Sequence, residues 1–201
     1  KADTTDPVVN GLVVSVAPVH FERGAVGDEY ISAFKELWTN DNPSFQGKYC
    51  SFSNITFLPK PIQKPHPPIW IGGESPAALR RVGRLGDAWF PIPTNPRFPV
   101  GTPQEFSEHV SRIHQYALEA GRNPSEIDLA YRAPWYGAGN IQTNPNGTRR
   151  IFSGSVEQIA SDINTFKSLG VRHLSFDFYG ATVDETLVHM EDFVTQVKPL
   201  V

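Results

Sequence analysis

The chain is poor in sulfur-containing residues, with one cysteine, Cys50, and one methionine. A single cysteine cannot form an internal disulfide, and it argues against a metal site built from thiolates. Disulfides belong to oxidising compartments, and this chain can form none internally. We therefore expect a cytoplasmic location.

Long apolar runs and an excess of positive charge are also missing. No stretch approaches the roughly 20 consecutive apolar residues that a membrane-spanning helix needs. The formal net charge is −3 and the isoelectric point is about 6.1, whereas nucleic-acid and anionic membrane surfaces attract basic patches. We expect neither a nucleic acid nor a membrane as a partner.

Motifs for chemistry carried by the protein itself are absent. His109 and His114 are five residues apart on a predicted helix, so their side chains diverge, and no zinc-type carboxylate–histidine pattern accompanies them. No Gly-x-Ser-x-Gly elbow is present, and Cys50 has no recognisable catalytic partner. The sequence predicts no metal site and assigns no catalytic residue. This absence fits chemistry that a bound cofactor supplies.

The patterns that are present indicate a soluble α/β protein, which we predict to be one domain over residues 1–201. Strand patterns alternate with helical ones, which favours a mostly parallel sheet. The clearest strands lie near residues 69–72, 88–91, 127–132 and 172–177, and residues 11–19 are a candidate fifth. Capping-box patterns begin at Thr102, Ser155 and Thr182, and Gly121 and Gly170 stand where helices should end.

The most informative segment is 67–81. Two prolines lead into a short apolar strand, the strand ends at Gly72 and Gly73, and a helix begins at Ser75 and Pro76. Such a turn directs free N–H groups and the positive end of the helix dipole at one point, which suits a phosphate. Glycine pairs also occur in strand–helix turns that bind nothing. The pattern alone leaves both interpretations open.

The order of residues adds a resemblance. The chain reads Pro-Pro-Ile-Trp-Ile-Gly-Gly at 67–73, Ser-Pro-Ala-Ala-Leu-Arg-Arg at 75–81 and Leu-Gly-Asp-Ala-Trp at 85–89. Together these resemble the fifth and sixth strand region of the bacterial-luciferase-like family of flavin and deazaflavin monooxygenases and oxidoreductases. The Ala-Leu-Arg-Arg form resembles the branch that depends on the deazaflavin coenzyme F-420. Residues 154–159 and 169–174 resemble the family's last helix–strand pair.

The resemblance implies a (β/α)8 TIM barrel. Only four strands are clear in this sequence, whereas a complete barrel has eight. We therefore expect a partial barrel without the N-terminal strands. Its open sheet edges call for cover, which implies a homo-oligomer or a complementing chain.

The resemblance also implies site residues at the carboxyl ends of the strands, where barrel enzymes place their sites. The residues expected to bind the cofactor are Gly72, Gly73, Glu74, Ser75 and Leu79. A carboxylate beside a phosphate is repulsive, so the Glu74 side chain should turn away. The residues expected to bind substrate are Arg132, Asp177 and Tyr179. Arg132 precedes the Gly/Asn-rich stretch 137–147, whose composition suits either a mobile lid or plain disorder.

The implied activity is hydride transfer between coenzyme F-420 and a small organic substrate. Two alternatives remain open at this point. One is an FMN-dependent monooxygenase, and the other is a non-catalytic half-barrel that binds a flavin or a partner chain.

Overall fold

The computed structural model describes residues 13–14, 22–144 and 146–201. The chain divides into two compact units, Lys1–Ile69 and Trp70–Val201. The prediction of one domain over the whole chain stays a prediction.

The first unit combines one helix with a small antiparallel sheet. Its elements are β1 (Val13–Val14), α1 (Arg23–Thr39), β2 (Phe45–Gln46) and β3 (Cys50–Phe52). The strand order is β1-β3-β2. Val13 and Val14 therefore pair antiparallel with Ser51 and Cys50 instead of starting a further parallel unit. The rest of the candidate fifth strand, residues 11–19, lies outside the described residues.

A carboxylate on α1 organises the turn before β3. Glu29 accepts the N–H groups of Lys48, Tyr49 and Cys50 at 2.8, 2.7 and 2.8 Å. Burial raises the pKa of Glu29, but these hydrogen bonds outweigh it and hold the pKa below its ordinary value. The sheet is thus tied to the helix by a charged group.

The second unit contains the parallel sheet. Its strands are β4 (Trp70–Ile71), β5 (Ala88–Trp89), β6 (Asp128–Ala133), β7 (Gly137–Ala138), β8 (Ser153–Gly154) and β9 (Val171–Phe176). Its α-helices are α2 (Pro76–Leu85), α3 (Pro103–Glu119), α4 (Val156–Ser168) and α5 (Val183–Asp192). Short 3-10 turns at Pro124–Glu126 and Lys198–Leu200 and a π turn at Phe193–Val197 complete it. The main sheet has the order β4-β5-β6-β9, so the four clear strands are confirmed.

The helix boundaries follow the local sequence. The Thr102 and Ser155 capping boxes both form, with Glu105 and Gln158 as the reciprocal acceptors. Thr182 caps α5, but the carboxylate of Glu185 accepts the N–H of Ala181, so that box is only half formed.

The predicted helix stops are also confirmed. Gly121 follows α3 and Gly170 follows α4, with φ of +71° and +93°. Glycine adopts this left-handed conformation without the steric cost that other residues meet.

The core of the second unit is aromatic. Trp89, Phe106, Tyr131, Phe152 and Phe166 are fully buried. The Tyr131 hydroxyl donates to the Val100 carbonyl at 3.0 Å, and burial raises the pKa of Tyr131 well above its ordinary value. The core therefore also fixes the segment that follows β5.

The Gly/Asn-rich stretch contains regular pairing in the residues that the structure describes, 137–144 and 146–147. β7 pairs in parallel with β8, and Thr143 bridges to Arg149. Asp162 on α4 holds the return of this excursion: it pairs with both terminal nitrogens of Arg149 at 2.9 and 2.6 Å and accepts the Phe152 N–H at 2.7 Å. The composition alone suits either a mobile lid or plain disorder, and it does not indicate these pairings, because they link residues that are distant in sequence.

The main sheet is strongly curved. Trp70 on β4 and His173 on β9 belong to its two outer strands, yet their ring centroids are 4.9 Å apart. Side chains of the outer strands can meet only across a concave face. No helix in the described part of the chain has the length and apolar character needed to cross a bilayer.

Candidate functional site

The first part of the site is the turn between β4 and α2. Gly73 has a φ of +95°, and a Cβ added to it would stand 3.2 Å from the Ala78 Cβ. The conformation favours glycine, and the close approach leaves little room for a side chain. Ser75 caps α2, accepting the N–H of Ala78 at 3.3 Å, and Pro76 occupies the first helical position, where its lack of an N–H costs nothing.

The turn presents a set of unused donors. Among the residues that the structure describes, no acceptor pairs with the N–H groups of Gly73, Glu74, Ser75 and Ala77. All four lie at the N-terminal end of α2, where the helix dipole favours negative charge. The arrangement can bind an anion through main-chain groups alone.

Glu74 is buried, with 7% of the residue's surface exposed. Its Oε1 accepts the Ile92 N–H at 3.0 Å, so the carboxylate is directed to the segment after β5. Its main-chain N–H is left for a ligand, and its contact with a phosphate stays a prediction.

Leu79 is placed differently from the other expected cofactor residues. Its side chain is fully buried, and its N–H donates to the Ser75 carbonyl at 2.9 Å. The residue offers no free polar group at the turn, so its part in this conformation is to pack α2 against the core.

Trp89 is a site residue that the sequence reasoning missed. Its indole Nε1 donates to the Gly73 carbonyl at 3.0 Å, while its ring stacks on Phe106 and lies nearly parallel to His109. The carbonyl of the positive-φ glycine is thus held by a rigid, buried side chain. The Asp-Ala-Trp pattern carries part of the family resemblance, but no local pattern indicates this hydrogen bond between residues 16 positions apart.

The second part of the site lies at the ends of β6 and β9. Arg132 Nη2 donates to Asp177 Oδ2 at 2.9 Å, with side chains 38% and 15% exposed. This bond raises the pKa of Arg132, and the nearby Tyr179 hydroxyl acts in the same direction. Tyr179 itself is exposed. The structure therefore brings all three expected substrate residues together.

The two parts share one edge of the sheet. The turn follows β4, Arg132 lies near the carboxyl end of β6 and Asp177 follows β9, with β5 between β4 and β6. Since neighbouring strands lie about 4.8 Å apart, Arg132 is roughly 10 Å and Asp177 roughly 14 Å from the turn along that edge. This is the carboxyl edge, where (β/α)8 enzymes carry out their chemistry.

Comparison with known proteins identifies the family. Residues 11–143 match the model for luciferase-like monooxygenases. The chain belongs to the luciferase-like monooxygenase family. A curated relative, the FMNH(2)-dependent dimethylsulfone monooxygenase of Pseudomonas putida, is 45% identical over 71 residues, which are 35% of this chain and 20% of that protein.

Solved structures of this family share the fold. An F-420-dependent secondary alcohol dehydrogenase superposes with a TM-score of 0.67 at 16% identity, covering 87% of this chain and 62% of the other. A long-chain alkane monooxygenase gives a TM-score of 0.67 at 14% identity, covering 92% and 57%. The predicted partial TIM barrel is confirmed. The chain spans a fifth of the curated relative and about three fifths of these structures.

Proposed function

We propose that this luciferase-like chain serves hydride transfer between coenzyme F-420 and a small organic substrate. The observation that carries the proposal is the group of four unpaired N–H donors around Gly73 at the start of α2. FMN and coenzyme F-420 both carry a phosphate, and this turn fits one. When bound, the deazaflavin ring supplies the hydride chemistry.

The residues of the chain would bind the coenzyme and the substrate and orient them. The turn Gly72–Ser75 receives the phosphate, and the Trp89 and Glu74 side chains fix the turn from behind. Arg132 donates to a polar oxygen of the substrate, and its pairing with Asp177 keeps the guanidinium in place. Tyr179 contributes a hydroxyl at the exposed side.

We also propose a domain organisation, a location and partners for the chain. The chain acts as one domain over residues 1–201 in the cytoplasm, on a small molecule rather than a nucleic acid or a membrane. A second copy or a complementing chain covers the outer edges of β4 and β9, since unpaired parallel edges are prone to association.

Two alternatives accompany this proposal. FMN-dependent monooxygenation is favoured by the curated relative named above, which is FMNH(2)-dependent. The other is a half-barrel that binds a flavin or a partner chain without turnover, and turnover in the presence of coenzyme separates it from both enzymes.

A parallel titration with F-420 and FMN tests the proposal. We expect saturable binding of F-420, measured by ring fluorescence, with a dissociation constant at least about tenfold below that of FMN, a difference of about 1.4 kcal/mol. Tighter binding of FMN would replace the proposal with the monooxygenase alternative. Binding of neither coenzyme by the folded chain would overturn the phosphate site. F-420 binding without turnover of alcohol or ketone substrates would support the non-catalytic alternative.

A further inference from the structure

A second concave region lies on the excursions that follow β5 and β6. It is an open cleft of about 640 Å³, within the range of small-molecule sites. Its lining includes Pro93, Pro96, Pro99, Trp135 and Arg150. None of the residues assigned above to cofactor or substrate lines it in the described part of the chain.

The Arg150 guanidinium lies in this cleft with few hydrogen-bond partners among the described residues. The Arg150 guanidinium makes one side-chain hydrogen bond, from Nη1 to Gln142 Oε1 at 3.3 Å, and its buried Nε has no acceptor among the described residues. No described carboxylate lies within ion-pair distance of it. By contrast, the neighbouring Arg149 is fully engaged by Asp162. A guanidinium with spare donors is a site for an anion.

The cation is held in a fixed orientation. Its Cζ lies 4.6 Å from the centroid of the Trp135 ring, a cation–π contact. The indole is itself fixed, because Trp135 Nε1 donates to the Ile151 carbonyl at 2.9 Å. A ligand would therefore meet a preorganised charge and would lose little affinity to ordering it.

The remaining lining selects the ligand's body and charge. Pro93, Pro96 and Pro99 offer rigid apolar surface, which favours a compact hydrocarbon or aromatic group. Glu105 also lines the cleft, and its Oε2 already accepts the Thr102 N–H at 3.0 Å. This carboxylate would repel a second negative charge.

We propose that the cleft binds an organic acid with a single negative charge and an apolar body, with its carboxylate on Arg150. The proposal does not depend on the coenzyme, since the cleft shares no assigned residue with the strand-end site. The ligand would contact the excursion that follows β6 on the face where Trp135 and Arg150 lie.

Benzoate is a suitable probe, and benzamide is its neutral counterpart of similar shape. The indole N–H resonance of Trp135, assigned with a Trp135→Phe variant, reports occupancy in two-dimensional NMR of the full chain. We expect benzoate to shift this signal saturably and benzamide to bind at least about tenfold more weakly. Arg150→Gln should weaken benzoate binding by about tenfold, whereas Arg112→Gln, which removes an exposed arginine from α3, should change it by less than about twofold.

Equal binding of benzoate and benzamide would overturn the proposal, as would the absence of a saturable shift. Unchanged benzoate affinity in folded Arg150→Gln would do the same. The first comparison uses the unaltered chain, so it holds even if a variant fails to fold. None of these measurements contains F-420 or FMN, so their failure leaves the proposed function to its own titration.

Discussion

The two parts of the strand-end site hold their polar groups by different means. After β4 the donors are main-chain N–H groups, fixed from behind by Trp89 and Glu74. After β6 and β9 the groups are the charged side chains of Arg132 and Asp177, which already compensate each other. We call the N–H donors of Gly73, Glu74, Ser75 and Ala77 the main-chain cradle. The cradle carries a constant partial positive charge at any pH and therefore suits a permanent anion. A compensated ion pair suits a neutral polar substrate, because a charged one would have to displace a partner.

The largest effect should come from filling the cradle. Gly73→Val places a branched side chain against Ala78 at a positive φ, and we expect F-420 or FMN affinity to fall by about 100-fold or more. The conformational cost to folding is about 1–2 kcal/mol. Calorimetric titration and chemical unfolding measure the two effects separately.

Gly121→Val is the matched control for that variant. Gly121 also has a positive φ, of +71°, but a Cβ there would meet nothing within 4 Å. It should show a comparable loss of stability with unchanged coenzyme affinity. Equal affinity in folded Gly73→Val would contradict the cradle.

A smaller effect should follow from loosening the cradle. Trp89→Phe keeps an aromatic ring but removes the donor to the Gly73 carbonyl, and we expect coenzyme affinity to drop by about tenfold. Leaving that carbonyl without its partner should also lower the free energy of unfolding by about 1–3 kcal/mol.

Trp135→Phe makes the same chemical change elsewhere, since it removes the bond from Nε1 to the Ile151 carbonyl. It should reduce stability without altering coenzyme affinity. A similar loss of affinity in both variants would show that the effect is global and not specific to the turn.

The ion pair should affect substrate more than coenzyme. Arg132→Gln and Asp177→Asn should each lower kcat/KM by about tenfold, and the double variant should lose less than the product of the two because the groups act together. Coenzyme affinity should stay within about twofold. Steady-state kinetics of the three variants checks this, and strictly multiplicative losses would argue against a joint role.

The smallest effect concerns the stability of the first unit and how that stability depends on pH. The folded-state pKa of Glu29 is depressed, so its contribution to stability is present above the unfolded pKa of about 4.5 and is lost as pH falls through the folded value. Glu29→Gln should therefore lower the thermal midpoint at pH 7 and make little difference at strongly acidic pH. An equal decrease at both pH values would contradict this linkage.

The sequence was most informative where structure is local. Prolines, paired glycines and capping residues act within four or five positions, so the strand–turn–helix at 69–76 and the helix boundaries were predictable. The meeting of Arg132 with Asp177 was predictable for another reason, since carboxyl ends of neighbouring parallel strands share an edge.

The parts that were missed depend on distant partners. The hydrogen bond from Trp89 to Gly73, the hold of Asp162 on Arg149 and Phe152, and the pairing of β7 with β8 each join residues that no local pattern connects. Val13–Val14 was recognised as extended, but its antiparallel partner lies in β3, after the helix.

The contact between Trp70 and His173 makes the bend of the sheet accessible to spectroscopy. These residues are the furthest apart in the hydrogen-bonding order of the strands, yet their rings touch. Any flattening of the sheet has to separate them first, whether it comes from a ligand at the strand ends or a chain joining an edge. The fluorescence of the Trp70 indole should therefore report the curvature of the sheet, because flattening would move the His173 imidazole away from it.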